Sequence, residues 1–128
     1  LPRRARKPAR PTRRAVAWVC RDAAGALLLR RRAESGLLGG MWEVPSSDWL
    51  EDGSFDAAPP LAADWCAAPA PVVHVFSHFR LELAVLGATI RTKDAARFAG
   101  AVKWVAPRDL PAHGLPSVMK KVIAATET

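Results

Sequence analysis

At 128 residues the chain has the length of one domain, enough to bury about two thirds of its unfolded surface in a real core. Half of the residues are hydrophobic, yet no apolar run approaches the ~20 residues of a membrane-spanning helix, and no apolar segment follows the basic start as a signal peptide requires. The chain therefore reads as soluble and intracellular, with no membrane partner. Seven of its nineteen basic residues (Arg3, Arg4, Arg6, Lys7, Arg10, Arg13 and Arg14) fall in the first fourteen positions, leaving twelve basic against twelve acidic residues in the body. The pI of about 10.4 thus belongs to a tail.

Residues 1–14 read as a basic, proline-containing linker, and 15–128 as the folded domain. A tail broken by Pro2, Pro8 and Pro11 buries too little apolar surface to fold alone, and it attracts polyanions such as DNA. A solvated linker without a specific partner fits it equally well. The first residue, Leu1, points to a piece of a longer polypeptide.

Two apolar runs follow, "AVAWVCR" (15–21) and "ALLLRRR" (26–32), separated by "DAAG" as in a β-hairpin. Arg30 and Arg32 share one face of the second strand and Arg31 takes the other. In "ESGLLGGMWEVP", Met41 to Val44 predicts a short strand that Pro45 ends. Residues 46–70 carry five acidic side chains and no basic one. Pro59 or Pro60 opens one short helix there, running to about Ala67.

"VVHVF" (72–76), "FRLELAVLGATI" (79–90) and "AVKWV" (101–105) predict three further strands; in the second, Leu81, Leu83 and Val85 alternate with Arg80, Glu82 and Ala84. The last segment, 115–126, predicts an amphipathic helix with Val118, Met119, Val122 and Ile123 on one side and Pro116 in its first turn. The order implies an α+β domain on a mixed or antiparallel sheet, with one short helix and one C-terminal amphipathic helix. Cys20 and Cys66 stand alone, too few for a Cys₄ zinc or iron–sulfur site, and read as buried small hydrophobes.

Within "HVFSHFR" (74–80) a hydroxyl lies between two imidazoles. On a strand His74 and His78 stand about 13 Å apart, against ~2.0 to 2.1 Å for each zinc–nitrogen bond, so metal binding fits poorly. Strand neighbours point to opposite faces and no G-x-S-x-G elbow surrounds Ser77, which disfavours a serine nucleophile. Packing and function both stay open for Phe76, Ser77 and His78.

"GLLGGMWEVP", "HVFSHFRLEL", "VKWV" and "GLPSVMKKVI", in that order and spacing, resemble the C-terminal domain of MutY-type adenine DNA glycosylases, and the basic lead into "RRAVAWVCRDAAGALLLRRR" resembles that family's linker and first hairpin. The resemblance implies a Nudix-like fold. The Nudix hydrolase motif, G-x₅-E-x₇-R-E-x-x-E-E-x-G, gathers carboxylates to hold Mg²⁺ on a pyrophosphate. Six residues after Gly36, Gly39, Gly40 and Gly53 stand Trp42, Pro45, Ser46 and Pro59, and neither Arg-Glu nor Glu-Glu occurs, so despite Glu43 the usual hydrolysis is not expected.

By resemblance the glycosylase acids, a helix-hairpin-helix clamp and a [4Fe-4S] cluster belong to an N-terminal catalytic domain of the same chain. This segment is then expected to cut no bond and to need no cofactor. It would bind double-stranded DNA carrying 8-oxoguanine opposite adenine, in the cytoplasm at the nucleoid, and direct adenine removal by the catalytic domain. Ser77 fits that role: 8-oxoguanine presents an N7–H donor beside a C8=O acceptor, and a hydroxyl both accepts and donates. Phe76 and His78 would flank it, and residues 76–78 must then form a bend.

Phosphate contacts would come from Arg13 and Arg14, from Arg30 and Arg32, and from Ser117 at the start of the last helix. Two other functions stay open: a Nudix-fold hydrolase of oxidised nucleotides with unusual ligands, and a catalytically inert module whose basic tail docks an acidic protein.

Overall fold

Alternation of two apolar sets along one strand organises the domain. In the computed structural model, which describes residues 10–127, β1 (Thr12–Arg21) turns Ala15, Ala17 and Val19 into one hydrophobic cluster and Val16, Trp18 and Cys20 into another. Both faces of β1 are therefore covered, which is why it reads as a continuous apolar run. The strand begins at Thr12, three residues before the apolar run, because Thr12, Arg13 and Arg14 find backbone partners. Residues 1–9, with Arg3, Arg4, Arg6 and Lys7, lie outside the described residues.

A turn of five residues joins β1 to β2 (Leu27–Arg31). Asp22 Oδ1 accepts from the backbone N–H of Ala24 and Ala26, each at 2.9 Å, and Gly25 takes a φ of 88° that disfavours side-chain-bearing residues. The remaining strands are β3 (Trp42–Glu43), β4 (Cys66–Ala67), β5 (Val72–Val75), β6 (Arg80–Thr89) and β7 (Val102–Val105). β6 runs parallel to β1 over ten registered pairs, from Thr12 opposite Arg80 to Arg21 opposite Thr89. β4 and β5 pair antiparallel with the outer edge of β6, while β2 pairs antiparallel with β1, β3 and β7. The sheet is mixed, and the domain has the expected α+β character.

The C-terminal helix α1 (Ser117–Ala125) lays Val118, Met119, Val122 and Ile123 on the first cluster, beside Leu81, Leu83 and Val85 of β6. Met119 Sδ also accepts from the Val44 N–H at 3.4 Å, tying the helix to the strand pair β2–β3.

The expected helix over 59–67 is absent. Leu61, Ala63 and Trp65 instead alternate inward onto the second cluster, a period of two that an extended chain satisfies. Cys66 and Ala67 then pair with Gly87 and Leu86 of β6. Two 3₁₀ segments, Thr92–Arg97 and Pro107–His113, supply the short helical turns elsewhere. Cys66 is exposed, contrary to its expected burial, because the edge strand β4 leaves it outside both clusters. Cys20 is fully buried, and the loss of water pushes its thiol up to about 12.

The acidic segment is held against the free edge of β1. The Arg14 N–H donates to Leu50 O at 3.0 Å, Ser47 N–H donates to Val16 O at 2.9 Å, and Val16 N–H donates to Ser47 Oγ at 2.9 Å. Gly53 lies so close that a Cβ there would collide with the carbonyl oxygen of Arg14. Gly53→Ala should therefore destabilise the domain by ~1 to 3 kcal/mol, seen as a lowered urea midpoint at unchanged slope; an unchanged midpoint would show that the loop is not fixed at this contact.

Candidate nucleic-acid interface

The β5–β6 hairpin brings the polar residues of "HVFSHFR" to its tip. Val75 pairs with Arg80, and the Phe76 N–H donates to Phe79 O at 2.8 Å, so Ser77 and His78 form a two-residue turn. Neither takes a positive φ, since Leu38 alone does among the described non-glycine residues. The expected bend is present. Ser77 and His78 are exposed, and the Ser77 hydroxyl has no hydrogen-bond partner among the described residues.

The start of β1 abuts this turn. Arg80 N–H donates to Pro11 O at 2.9 Å, and Arg10 Nε donates to the Ser77 carbonyl at 3.2 Å. Arg13, on the same face as Ala15, places its guanidinium 4.2 Å over the Phe79 ring. Arg14 points the other way and donates from Nε to Glu82 at 2.9 Å, where Arg80 also donates at 3.1 Å. The hydrogen bond from Arg80, helped by Arg14 and opposed by partial burial, holds the Glu82 carboxyl below its ordinary range.

Phe76 is a packing residue. Its ring stacks on Phe79 at 4.8 Å and on Trp49 at 6.1 Å, and His74 meets it edge-on at 4.7 Å. Those contacts anchor the turn beneath Ser77. His78 makes no ring contact, ion pair or hydrogen bond among the described residues. His74 Nδ1 lies 3.2 Å from Lys121 Nζ of α1; partial burial, and then that ammonium, lower the His74 pKa. The two histidines do not converge, and among the described residues no group of three or more His, Cys, Asp or Glu is gathered as a metal ion would need.

Arg30 and Arg32 point to the same side, as their spacing requires, but their guanidinium groups are committed to Glu43. Arg30 Nε donates to one carboxylate oxygen at 3.0 Å and Arg32 Nη1 to the other at 2.8 Å; Glu43 is only 2% exposed. Arg32 also stacks on Trp49 at 4.3 Å, and Arg30 donates to Ser46 O at 3.0 Å. The two arginines line a cleft of about 480 Å³ with Arg13, Ser47 and Trp49. Ser117 is exposed at the first position of α1, on the same helical face as Lys121. The structure thus gathers Ser77, Phe76 and Arg13 around one hairpin and sets Arg30 and Arg32 across the Trp49 stack.

Sequence reasoning missed Trp49 and singled out Arg10 only as one of the basic residues of the tail. The signal for Trp49 was a large aromatic residue in an otherwise acidic segment; Arg10 had none beyond its charge.

Residues 15–125 match the family model described as NUDIX domain. The chain belongs to that family. Curated relatives include human adenine DNA glycosylase, 31% identical over 138 aligned positions that cover 95% of this chain and 25% of that protein, and its mouse counterpart, 31% identical over 113 positions, covering 79% and 22%. This NUDIX domain spans about a quarter of the length of those relatives. Among solved structures it is similar to the C-terminal domain of mouse MUTYH, solved in complex with human PCNA, with a TM-score of 0.65, 23% identity, and coverage of 88% of this chain and 86% of that one. It is also similar to the MutT protein from Methanosarcina mazei Go1, with a TM-score of 0.69, 16% identity, and coverage of 95% and 100%. At these identities the two structures share its fold.

The Glu82 cluster locks the base of the hairpin, and its pH dependence follows from the lowered carboxyl. A depressed carboxylate stabilises the fold fully above its unfolded value near 4.5 and loses that contribution as pH falls through the lower folded value. Urea midpoints measured from about pH 6 down to pH 3 should fall more steeply for the wild type than for Glu82→Gln. Parallel curves would show that Glu82 does not carry this acid limb.

Proposed function

We propose that this NUDIX domain is the lesion-recognition part of an adenine DNA glycosylase, reading 8-oxoguanine opposite adenine through Ser77 while a separate segment of the longer chain removes the adenine. The observation that carries the reading is the Ser77 hydroxyl, exposed at the hairpin tip without a hydrogen-bond partner among the described residues and backed by the ring stack of Phe76, Phe79 and Trp49. The identity shared with the adenine DNA glycosylases over nearly the whole chain supports the same reading.

The chemistry follows from the base edge. A rotatable hydroxyl accepts from N7–H of 8-oxoguanine and donates to O8. Ordinary guanine presents an N7 acceptor and no oxygen at C8, so one of the two bonds is lost. A two-bond base contact discriminates by about 1 to 3 kcal/mol, about five- to 150-fold. That is too little to find a rare lesion alone. Recognition therefore works jointly with an adenine pocket in the catalytic segment, where a [4Fe-4S] cluster would also reside.

Arg10 and Arg13 carry their charge beside the turn and suit phosphate contacts. Arg30 and Arg32 are weaker phosphate candidates than their exposure in sequence implied, because Glu43 already neutralises one of their two charges. Arg14 is likewise engaged with Glu82.

A protein partner is the second reading. The C-terminal domain of mouse MUTYH, similar in fold, was solved bound to human PCNA, and co-elution of this chain with PCNA in the absence of DNA would support it.

Equilibrium binding to duplexes carrying 8-oxoguanine:adenine and guanine:adenine tests the first reading. Ser77→Ala should reduce the preference for the oxidised base by about five- to 150-fold within the longer glycosylase chain, with a smaller loss of affinity for the guanine duplex, where only one bond is removed. A preference that survives intact would remove Ser77 as the reader.

A further inference from the structure

The hairpin that presents Ser77 carries a second cluster of basic groups three residues earlier. Lys121 Nζ sits 3.2 Å from His74 Nδ1 and 3.5 Å from the Val73 carbonyl oxygen. With an ammonium donating to Nδ1, the neutral imidazole keeps its proton on Nε2. The pair consequently turns outward only donors: the remaining N–H of Lys121 and the Nε2–H of His74. Neither has a further partner among the described residues, and Lys121 is exposed.

Among the described residues no carboxylate forms an ion pair with His74 or Lys121. Opposite His74 on β6 stands Leu81, and the hairpin side is filled by the Phe76 ring. Glu82 pairs in register with Val73 but lies on the other face of the sheet, held by Arg14 and Arg80. From α1 the only charged group reaching His74 is Lys121 itself, with the exposed hydroxyl of Ser117 one helical turn earlier on the same face. A cation held against an imidazole with no counter-ion among the described residues is a site short of one anion.

We infer that His74 and Lys121 form a phosphate site on the β5–α1 side of the hairpin, taking a backbone phosphodiester of the strand whose base Ser77 reads. This assignment rests on the proposed reading of 8-oxoguanine. His74 precedes Ser77 by three residues, so at most about 10 Å of chain separates them, within which neighbouring phosphates of one DNA strand fall at ~3.4 Å of helix axis per nucleotide. A phosphate there accepts from Nε2–H of His74 and from Lys121, whose ammonium turns from Nδ1 to the phosphate, and the anion offsets the repulsion of two cations, so His74 takes up a proton on the freed Nδ1 as the complex forms. Its lowered pKa in the free chain is the starting point for that change.

The test is an NMR titration of the three histidine rings in the 128-residue chain, free, with inorganic phosphate, and with a saturating 8-oxoguanine:adenine duplex. The His74 pKa should rise to or above its ordinary value with the duplex, accompanied by buffer-dependent proton uptake in calorimetry. Lys121→Gln should weaken the 8-oxoguanine and guanine duplexes by the same factor, lower the salt slope by about one, and leave the preference between them intact. Ser77→Ala should do the reverse, losing preference while the His74 shift persists. Inorganic phosphate producing the same shift at higher concentration supports the site. A His74 pKa unmoved by the bound duplex overturns it, as does a shift elicited only by an acidic peptide, which would assign the pair to a protein carboxylate. Because Lys121 and Ser77 are both exposed, neither variant is expected to confuse loss of the site with loss of the domain.

Discussion

The parallel pairing of β1 with β6 is the constraint on which the rest depends. Ten consecutive residue pairs bind two segments 68 positions apart, and each strand then has its second edge free for a different partner. Because the strands run the same way, their N-terminal ends lie side by side. The basic lead that enters β1 at Thr12 is thereby delivered to the base of the hairpin that enters β6 at Arg80. An antiparallel pairing would have sent Arg10 and Arg13 to the far end of the sheet. The approach of Arg10 to the Ser77 carbonyl and of Arg13 to Phe79 is a product of strand direction.

Glu43 is the centre of a buried ion triad. It stands in a fully buried position where an unpaired carboxylate would be costly, and both of its oxygens accept from arginine. The ion triad links β2 to β3 and orients Arg32 over Trp49, whose ring in turn supports Phe76. In this domain the carboxylate builds a wall behind the hairpin. Replacing it would leave two half-buried guanidinium groups facing one another, which is why the triad behaves as a unit.

Much of the fold was legible because its signals are local. Alternation in Leu81, Leu83 and Val85 gave β6, the Asp22–Gly25 turn gave the first hairpin, and the Val118/Met119/Val122/Ile123 stripe gave α1. Residues 59–67 misled because proline followed by alanines imitates a helix start, whereas the packing of Leu61, Ala63 and Trp65 on the sheet selects an extended chain. Cys66 misled because edge position is invisible to composition. At the site, Ser77 and its bend were read from residue chemistry and resemblance, while Trp49 and Arg10 were not, since both act through partners about 30 to 70 positions away in sequence.

The sequence by itself determined most of the strands and the last helix, the uneven charge, the absence of the usual Nudix carboxylate box and the unusual chemistry of the F-S-H triplet, all of which depend on neighbours within a few residues. Tertiary structure decided which charges are available and which are committed. Arg30, Arg32 and Arg14 are held by carboxylates, whereas Arg10, Arg13 and Lys121 stand around the Ser77 hairpin. The physical reason is that a side chain's charge is a property of its residue type, but the field it creates depends on what the fold places within a few ångströms of it.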